Sequence, residues 1–278
     1  MSVNLLETLN GPVVLVGAGK MGGAMLEGWL KLDLPPAQIV VLDPNMRDEM
    51  ALELSSVGAR PNPEIDAIGT PAVVVVAVKP QVAPVVLATI RALVAPETLV
   101  VSIMAGRTLD FLGEALPHGT SIVRTIPNTP AAIGKGITVA VPNRHAGEDA
   151  RALTDALLSG LGPVEWISDE SLMDAATAVS GSGPAYVFLL AEALAAAGAA
   201  AGLPADLATR IARATVAGSG ALMQESGTDA GTLRENVTSP AGTTAAALAI
   251  LMDPARGFGA LLEEAVAAAT ARSRELAR

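Results

Sequence analysis

A turn late in the chain places three hydroxyl side chains at the start of an apolar segment with helical periodicity. Ser239 precedes Pro240-Ala241-Gly242, and Thr243 and Thr244 follow. The first backbone N–H groups of a helix have no acceptor inside the helix, and the helix dipole adds positive charge at the same end. The turn therefore predicts a cradle for an anion, with hydroxyls as extra donors. The same residues also suit a helix start that is only capped, and the turn alone leaves both interpretations open.

A glycine-rich loop near the start of the chain is the second feature that indicates chemistry. The apolar run 13–16 leads into Gly17-Ala18-Gly19-Lys20-Met21-Gly22, and a helical pattern follows. The first glycine allows a tight turn, the second lets the backbone approach a pyrophosphate, and the third lets the helix pack closely on the strand. A second apolar run, 39–42, ends in Asp43, where an acid can accept a hydrogen bond from an adenosine ribose. Together these residues predict a dinucleotide site.

The loop that begins at Asp43 leaves the choice of coenzyme open. An acid in this position favours NAD(H), because it binds the ribose 2′-hydroxyl. Asn45 and Arg47 lie in the same loop and could contact a 2′-phosphate if the loop folds inward. We therefore expect NADP(H) or NAD(H), with all three residues as candidate contacts.

Three further apolar runs predict strands of the same parallel sheet. They cover 71–78, 99–103 and 121–126. Open parallel sheets bind ligands at the carboxyl ends of their strands. Small or polar residues stand at these ends, and we take them as further coenzyme contacts: Val78, Lys79, Pro80, Ala105, Gly106 and Asn128. The alternative is that Pro80, Gly106 and Pro127 only stop strands.

The apolar spacing changes from strand-like to helical after 164–167, which we interpret as a strand closing the sheet. We expect helices at approximately 169–179, 183–202, 204–226, 229–236 and 243–276, the last interrupted at 253–257. The predicted fold class is α/β: an N-terminal Rossmann-type parallel-sheet domain, 1–168, followed by an all-helical dimerisation domain, 169–278. Small residues on the long helices, such as Gly198 and Gly218, allow close helix approach and favour an interwoven homodimer.

Composition argues against several classes of function. The 278 residues include 28 acidic and 18 basic ones, and a net charge of −10 argues against nucleic acid or an anionic membrane as partner. The chain has no cysteine, and neither of its two histidines, His118 and His145, has a second ligand at suitable spacing, so we expect no metal. The richest apolar run, 191–203, is too short for a membrane span. The first residues lack the pattern of an export signal, and we expect a soluble, cytoplasmic protein.

The motifs described above occur together in one known family. The chain resembles the pyrroline-5-carboxylate reductases over nearly its whole length, at 16–22, 78–81, 102–106, 124–130, 180–186 and 237–244. The Ser-Pro-Ala-Gly-Thr-Thr segment after a Rossmann half is the most specific of these matches. The resemblance implies NADPH- or NADH-dependent hydride transfer to the C=N bond of 1-pyrroline-5-carboxylate, giving L-proline in the last step of proline biosynthesis. It also implies homodimers interlocked through the helical domains, which often assemble into larger rings.

The resemblance further implies roles for the cradle residues. Ser239 and the backbone of Gly242, Thr243 and Thr244 would bind the substrate carboxylate, and the Thr244 hydroxyl would point at the ring nitrogen as the catalytic group. Two residues depart from the family. Ala241 replaces a glycine and must then avoid a positive φ. Met104 replaces a smaller residue beside the nicotinamide and could narrow that pocket.

Two other functions are weighed against the reductase. A hydroxyacid dehydrogenase of similar plan would need a catalytic lysine in the second domain, but the last lysine of the chain is Lys135. A dinucleotide sensor would use the cradle only as a helix cap. Loss of reduced coenzyme on addition of pyrroline-5-carboxylate would distinguish an enzyme from a sensor.

Overall fold

An eight-stranded sheet forms the centre of the first part of the chain. The computed structural model describes residues 5–276, so residues 1–4, on which the expectation of no export signal partly rests, lie outside the described residues. Within these limits the strands β1 to β8 are, in chain order, Val13–Val16, Ile39–Leu42, Arg60–Pro61, Val73–Val76, Leu99–Ser102, Ser121–Pro127, Thr138–Pro142 and Val164–Trp166.

The order of the strands confirms the predicted Rossmann-type sheet. In space the order is β3-β2-β1-β4-β5-β6-β7-β8. Neighbouring strands run parallel except β6 and β7, which are antiparallel. The direction of winding reverses between β1 and β4, where Val13 pairs with Val73. Such a switch point opens a crevice at the carboxyl ends of the strands, where doubly wound sheets bind ligands.

Helices account for most of the remaining chain. Among the described residues the α-helices α1 to α11 are, in chain order, Lys20–Lys31, Asp48–Ser56, Ala83–Ile90, Leu109–Ala115, Glu148–Leu158, Met173–Ala176, Gly183–Ala200, Ala205–Ser226, Ala230–Asn236, Thr243–Leu251 and Phe258–Leu276. A single π-helical turn, Thr177–Gly181, joins α6 to α7. The helices predicted for the second half, and the break near 253–257, are confirmed.

The central strands form because both of their faces are buried. Alternate residues of a strand point to opposite faces. Val13 and Leu15 therefore enter one hydrophobic cluster with Met25 of α1, while Val14 and Val16 enter the cluster on the other face. Continuous apolar runs are required when helices cover both faces of a parallel sheet.

Two strands were not predicted. β3 has two residues and shows no periodicity. β7 follows β6 after only the ten residues 128–137, among them a short 3₁₀ turn. A parallel crossover needs about a dozen residues or more, so this short connection allows only an antiparallel neighbour.

The chain divides into two compact units. One ends at Gly181 and includes the chain again from Thr270 onward, and the other is Ser182–Ala269. The domain boundary expected at 168 and 169 stays a prediction, because compactness alone does not locate a functional boundary.

The second unit leaves much apolar surface exposed. Helix α7 buries no residue, and α8 buries only Ala208 and Ala212. The two helices approach closely, since a Cβ added at Gly198 would lie 3.4 Å from the Ala208 Cβ. Phe188 is 61% exposed and Leu189 is 63% exposed. A contiguous apolar face of this kind indicates a surface that binds a partner.

One helical stretch has the length and composition of a membrane span. Glu170–Ala200 covers 31 residues and contains a window of mean hydropathy 1.4, none of it buried. This stretch is longer than the 191–203 run from which the absence of a span was inferred. Helices covered by protein meet the same criteria, so composition alone does not distinguish a lipid partner from a protein partner.

Candidate functional site

The turn after β1 requires glycine. Gly17 has a φ of +96°. Its N–H donates to the Leu42 carbonyl over 2.8 Å, which ties the end of β1 to the end of β2. A Cβ at Gly17 would lie 2.8 Å from the Ala77 carbonyl oxygen, so a larger residue does not fit. The glycine loop therefore begins in the crevice between β1 and β4.

The start of α1 leaves room for an anion. Gly19 is the N-cap residue, and no side chain caps the helix. A Cβ at Gly19 would meet nothing within 4 Å, whereas a Cβ at Gly22 would collide with the Gly17 carbonyl oxygen. Gly22 thus permits close packing of α1 on the loop, and Gly19 leaves free space beside the uncapped N–H groups. These features fit the pyrophosphate of a dinucleotide.

Asp43, at the end of β2, joins two loops. Its Oδ2 accepts a hydrogen bond from the Ala18 N–H and its Oδ1 accepts one from the Asn45 N–H, both over 2.8 Å. The side chain of Asn62 bonds to both backbone groups of Asp43. Since the carboxylate already has this structural role, its presence at the end of β2 does not by itself indicate NAD(H).

A cleft of about 350 Å³ lies against the glycine loop. Gly19, Lys20 and Arg47 border it. Arg47 is 77% exposed, and its ion pair with Glu49 is long, at 3.9 Å. Two cations, Lys20 and Arg47, and one acid, Glu27, therefore border the cleft. Met21 instead packs against the core. Of the residues predicted on the first two loops, the cleft brings together Ala18, Gly19, Lys20 and Arg47. Asn45 borders a separate cavity.

Arg107 links the ends of β4 and β5 and was not predicted. Its Nε and Nη2 donate to the Pro80 carbonyl over 3.2 and 2.9 Å. The guanidinium lies 4.6 Å from the centre of the Phe111 ring. Arg107 therefore holds the segment Val78, Lys79 and Pro80 beside Gly106. Neither its residue type nor its spacing signals a partner 27 residues earlier in the chain.

The sequence suggests that Met104 could narrow a coenzyme pocket, but the structure shows that it does not. Its side chain is 1% exposed and belongs to the hydrophobic cluster that contains Leu112 and Leu116. The expectation is wrong because the side chain points into the core. Ala105 is exposed, and Gly106 is buried with a φ of +70°, so the chain turns at the end of β5 as the sequence suggests.

Asn128 follows β6 and bonds to two backbone segments. Its Nδ2 donates to the Ser180 carbonyl over 3.1 Å, and its Oδ1 accepts from the Ile137 N–H over 3.0 Å. The side chain is half-buried. A direct contact between Asn128 and the coenzyme stays a prediction.

The turn before α10 corrects the expectation for Ala241. The Gly242 N–H donates to the Ser239 carbonyl over 3.0 Å and closes a four-residue turn. Ala241 has a φ of +58°. The prediction that it avoids a positive φ is wrong: proline in the second position and a positive φ in the third are the combination found in a closed type II turn.

The hydroxyls of this turn do not cap α10. Gly242 is the N-cap residue, and no side chain bonds to the first N–H groups of the helix. The Ala246 N–H donates to the Gly242 carbonyl, which leaves the N–H groups of Thr243 and Thr244 ahead of the first helical bond. A Cβ at Gly242 would collide with the Ser239 Oγ. No side chain of the turn therefore caps α10, and the binding of an anion at this helix start stays a prediction.

Other polar clusters lie away from these residues. No group of three or more His, Cys, Asp or Glu could hold a metal among residues 5–276. The His118 and His145 rings lie 6.3 Å apart in a cavity of about 640 Å³ near the start of β6. Asp169 borders this cavity, and hydrogen bonds from Ser171 lower the pKa of its carboxyl.

The fold and the glycine loop together define a class of protein. A doubly wound sheet with an uncapped glycine loop at its switch point is the plan of nicotinamide-dependent oxidoreductases. Residues 12–106 match the family model described as NADP oxidoreductase, coenzyme F420-dependent, and residues 170–276 match the model described as pyrroline-5-carboxylate reductase dimerisation.

Relatives identify the family within that class. The chain is 36% identical over 265 residues to a pyrroline-5-carboxylate reductase of Haemophilus influenzae, covering 95% of this chain and 97% of the relative. A pyrroline-5-carboxylate reductase structure from Coxiella burnetii superposes with a TM-score of 0.89 at 29% identity, covering 96% and 99% of the two chains. A Plasmodium falciparum pyrroline carboxylate reductase crystallised with NADP bound gives a TM-score of 0.80 at 27% identity, covering 97% and 99%. The chain belongs to the pyrroline-5-carboxylate reductase family.

Proposed function

We propose that this protein reduces 1-pyrroline-5-carboxylate to L-proline with a reduced nicotinamide coenzyme. The observation that carries the proposal is the turn before α10, where three hydroxyl-bearing residues and free N–H groups stand at an uncapped helix start. A small carboxylate suits these donors, because it satisfies the N–H groups and interacts with the helix dipole. Ser239 and the backbone of Gly242, Thr243 and Thr244 bind the carboxylate in this proposal.

The reaction needs little acid or base chemistry from the protein. The reduced coenzyme supplies the hydride, and the imine carbon of the substrate accepts it while the ring nitrogen carries a proton. Holding the reacting atoms close and aligned can by itself lower the barrier by about 7–11 kcal/mol. The Thr244 hydroxyl bonds to the ring nitrogen, which contributes about 0.5–1.5 kcal/mol for a neutral partner and about 1.5–3 kcal/mol for a charged one.

We propose NADPH as the preferred coenzyme. Lys20 and Arg47 border the cleft beside the glycine loop, and their charges suit a 2′-phosphate. Part of the negative charge of Asp43 is compensated by the N–H groups of Ala18 and Asn45. Changing Arg47 to Ser should raise the KM for NADPH while leaving the KM for NADH nearly unchanged. Equal effects on both coenzymes would remove Arg47 from this role.

The helical unit suits self-association. We propose a homodimer formed through the exposed faces of α7 and its neighbours, with dimers arranged into a larger ring. The apolar stretch Glu170–Ala200 then contacts protein rather than lipid. We further propose a soluble, cytoplasmic enzyme that uses no metal. The net charge of −10 argues against a nucleic-acid partner.

Initial rates test the activity and the coenzyme together. Reduced coenzyme should be lost when pyrroline-5-carboxylate is added, faster with NADPH than with NADH. Plain 1-pyrroline, which lacks the carboxylate, should be a poor substrate because the N–H groups and Ser239 are left without their anion. Absence of turnover with either coenzyme contradicts the proposed function, and equal rates with 1-pyrroline contradict the role of the cradle.

A further inference from the structure

The segment Ser180–Tyr186 has no role in the site described so far, yet its first residue is bound to the sheet. The segment begins inside the π-helical turn Thr177–Gly181. Ala178 of this turn is 1% exposed. A Cβ at Gly181 would lie 3.8 Å from Cγ2 of Ile126, near the end of β6. The π-turn therefore packs at the carboxyl edge of the sheet, the edge that also carries the glycine loop.

Two side chains of the π-turn donate hydrogen bonds to backbone carbonyls four residues earlier in the chain. The Thr177 hydroxyl donates to the Met173 carbonyl over 2.7 Å, and the Ser180 hydroxyl donates to the Ala176 carbonyl over 2.9 Å. Back-bonds of this kind compete with the helical ladder and bend helices. A π-turn also disturbs the regular ladder and leaves a carbonyl in need of a donor, and such turns occur often at functional sites.

Asn128 supplies that donor. Its amide nitrogen bonds to the Ser180 carbonyl, while its amide oxygen is held by the Ile137 N–H. Both ends of the amide are thus used by the backbone, and the side chain joins the end of β6 to the π-turn. In a doubly wound sheet each mononucleotide of the coenzyme occupies one half of the carboxyl edge. The glycine loop and Asp43 belong to the half nearer β2, so the end of β6 belongs to the nicotinamide half.

We propose that Asn128 is a positioning residue for hydride transfer. It holds the π-turn Thr177–Gly181 at the nicotinamide half of the carboxyl edge, and the turn forms part of the wall that aligns the reacting ring. This inference rests on the proposed function. It assigns Asn128 an action through the π-turn and gives Ser180, whose carbonyl Asn128 binds, a role in the reaction.

The decisive variant is Asn128→Asp. It keeps the acceptor for the Ile137 N–H and replaces the donor to the Ser180 carbonyl with a second oxygen, which repels that carbonyl. We expect hydrogen exchange of the 177–181 amides to rise in the free enzyme. The kcat should fall by about 10- to 100-fold, because small misplacements cost that much. Binding of NADPH, followed by nicotinamide fluorescence, should weaken by a smaller factor than kcat.

Asn143→Asp is the matched control. Asn143 also bridges backbone segments, with its Nδ2 donating to the Thr120 carbonyl and its Oδ1 accepting from the Ile122 N–H, but it stands at the opposite end of β6. The control should lower Tm about as much as Asn128→Asp and leave kcat near that of the wild type. A normal kcat in Asn128→Asp, unchanged exchange at 177–181, or an equal kcat loss in the control would overturn the proposal.

A second variant covers the case in which Asn128→Asp does not fold. Ser180→Ala removes the back-bond to Ala176 and leaves Asn128 intact. Increased exchange at 177–181 together with a lower kcat supports the proposal, and an unchanged kcat despite increased exchange contradicts it. Failure of the proposed function is distinguishable, because the wild-type enzyme would then show no turnover with pyrroline-5-carboxylate.

Discussion

The two compact units differ in how completely each one covers its own apolar surface. In the first unit the strands β1 and β4 are almost fully buried, with both faces packed by helices. In the second unit α7 and α10 bury no residue. The first unit therefore has a core of its own, whereas the second needs another surface to complete one.

The loops of the two units differ in the hydrogen bonds that hold them in place. At the carboxyl edge of the sheet, Asp43, Arg107 and Asn128 each bond to the backbone of a neighbouring segment. The turn at Ser239 is closed by a single backbone bond, and its hydroxyl is exposed. The comparison leads us to predict that the coenzyme site forms within one chain, while the turn at Ser239 becomes fixed only when the second unit associates.

The largest expected effect comes from a charge on the exposed face of the second unit. Leu189→Glu should weaken self-association by at least about 100-fold, because burying an unpaired charge costs several kcal/mol. The reductase activity should fall together with self-association. Analytical ultracentrifugation measures the assembly, and Leu52→Glu, at a similarly exposed leucine of α2 in the first unit, is the control. If both variants associate normally, the exposed face of α7 is not the interface.

Thr244→Ala tests the cradle directly. The kcat should fall by roughly 10- to 100-fold, the change expected when one hydrogen bond to the ring nitrogen is lost. The KM for the coenzyme should not change, since that site belongs to the first unit. A fully inactive variant or an unaffected one would argue against the role of this hydroxyl, and Thr209→Ala on the exposed part of α8 serves as the comparison.

Gly22→Ala tests the close packing in the first unit. The added Cβ meets the Gly17 carbonyl oxygen, so the loop must move and stability should drop by about 1–3 kcal/mol. Affinity for NADPH should weaken by about tenfold if the displacement costs 1.4 kcal/mol of binding. Gly113→Ala is the matched control, because a Cβ there meets nothing within 4 Å. Equal Tm and NADPH affinity in the two variants would disprove the packing role.

The smallest effect is expected at Ala241. Its φ of +58° lies in the left-handed region, where a Cβ costs about 1–2 kcal/mol. Ala241→Gly removes that strain from the folded state. Glycine also makes the unfolded chain more flexible, which offsets part of the gain, so the free energy of unfolding should rise by about 0.5–1 kcal/mol. Ala245→Gly, inside α10, should instead destabilise by about 1 kcal/mol. Thermal unfolding measures the Tm of both variants. A lower Tm for Ala241→Gly than for the wild type would rule out strain at this turn.

The structural elements that were predicted correctly are those that the local sequence pattern controls. The apolar runs 13–16 and 39–42 became β1 and β2, and the helical periods of the second half became α7 to α11. The glycine loop was recognisable because turn geometry, phosphate approach and helix packing each require glycine at a set spacing. Because β7 was not predicted as a strand, its antiparallel pairing with β6 was not predicted either.

Local spacing and residue type were enough to predict six of the eight strands, the helices of the second half and the glycine loop, because each of these depends on neighbours within a few residues. The partners of Asp43, Arg107 and Asn128, the burial of Met104 and the positive φ of Ala241 were decided only by the folded chain. Asp43, Arg107 and Asn128 meet backbone groups 25, 27 and 52 residues away. Contacts of that range follow from how strands and turns meet at one edge of the sheet, and no periodicity along the chain encodes them.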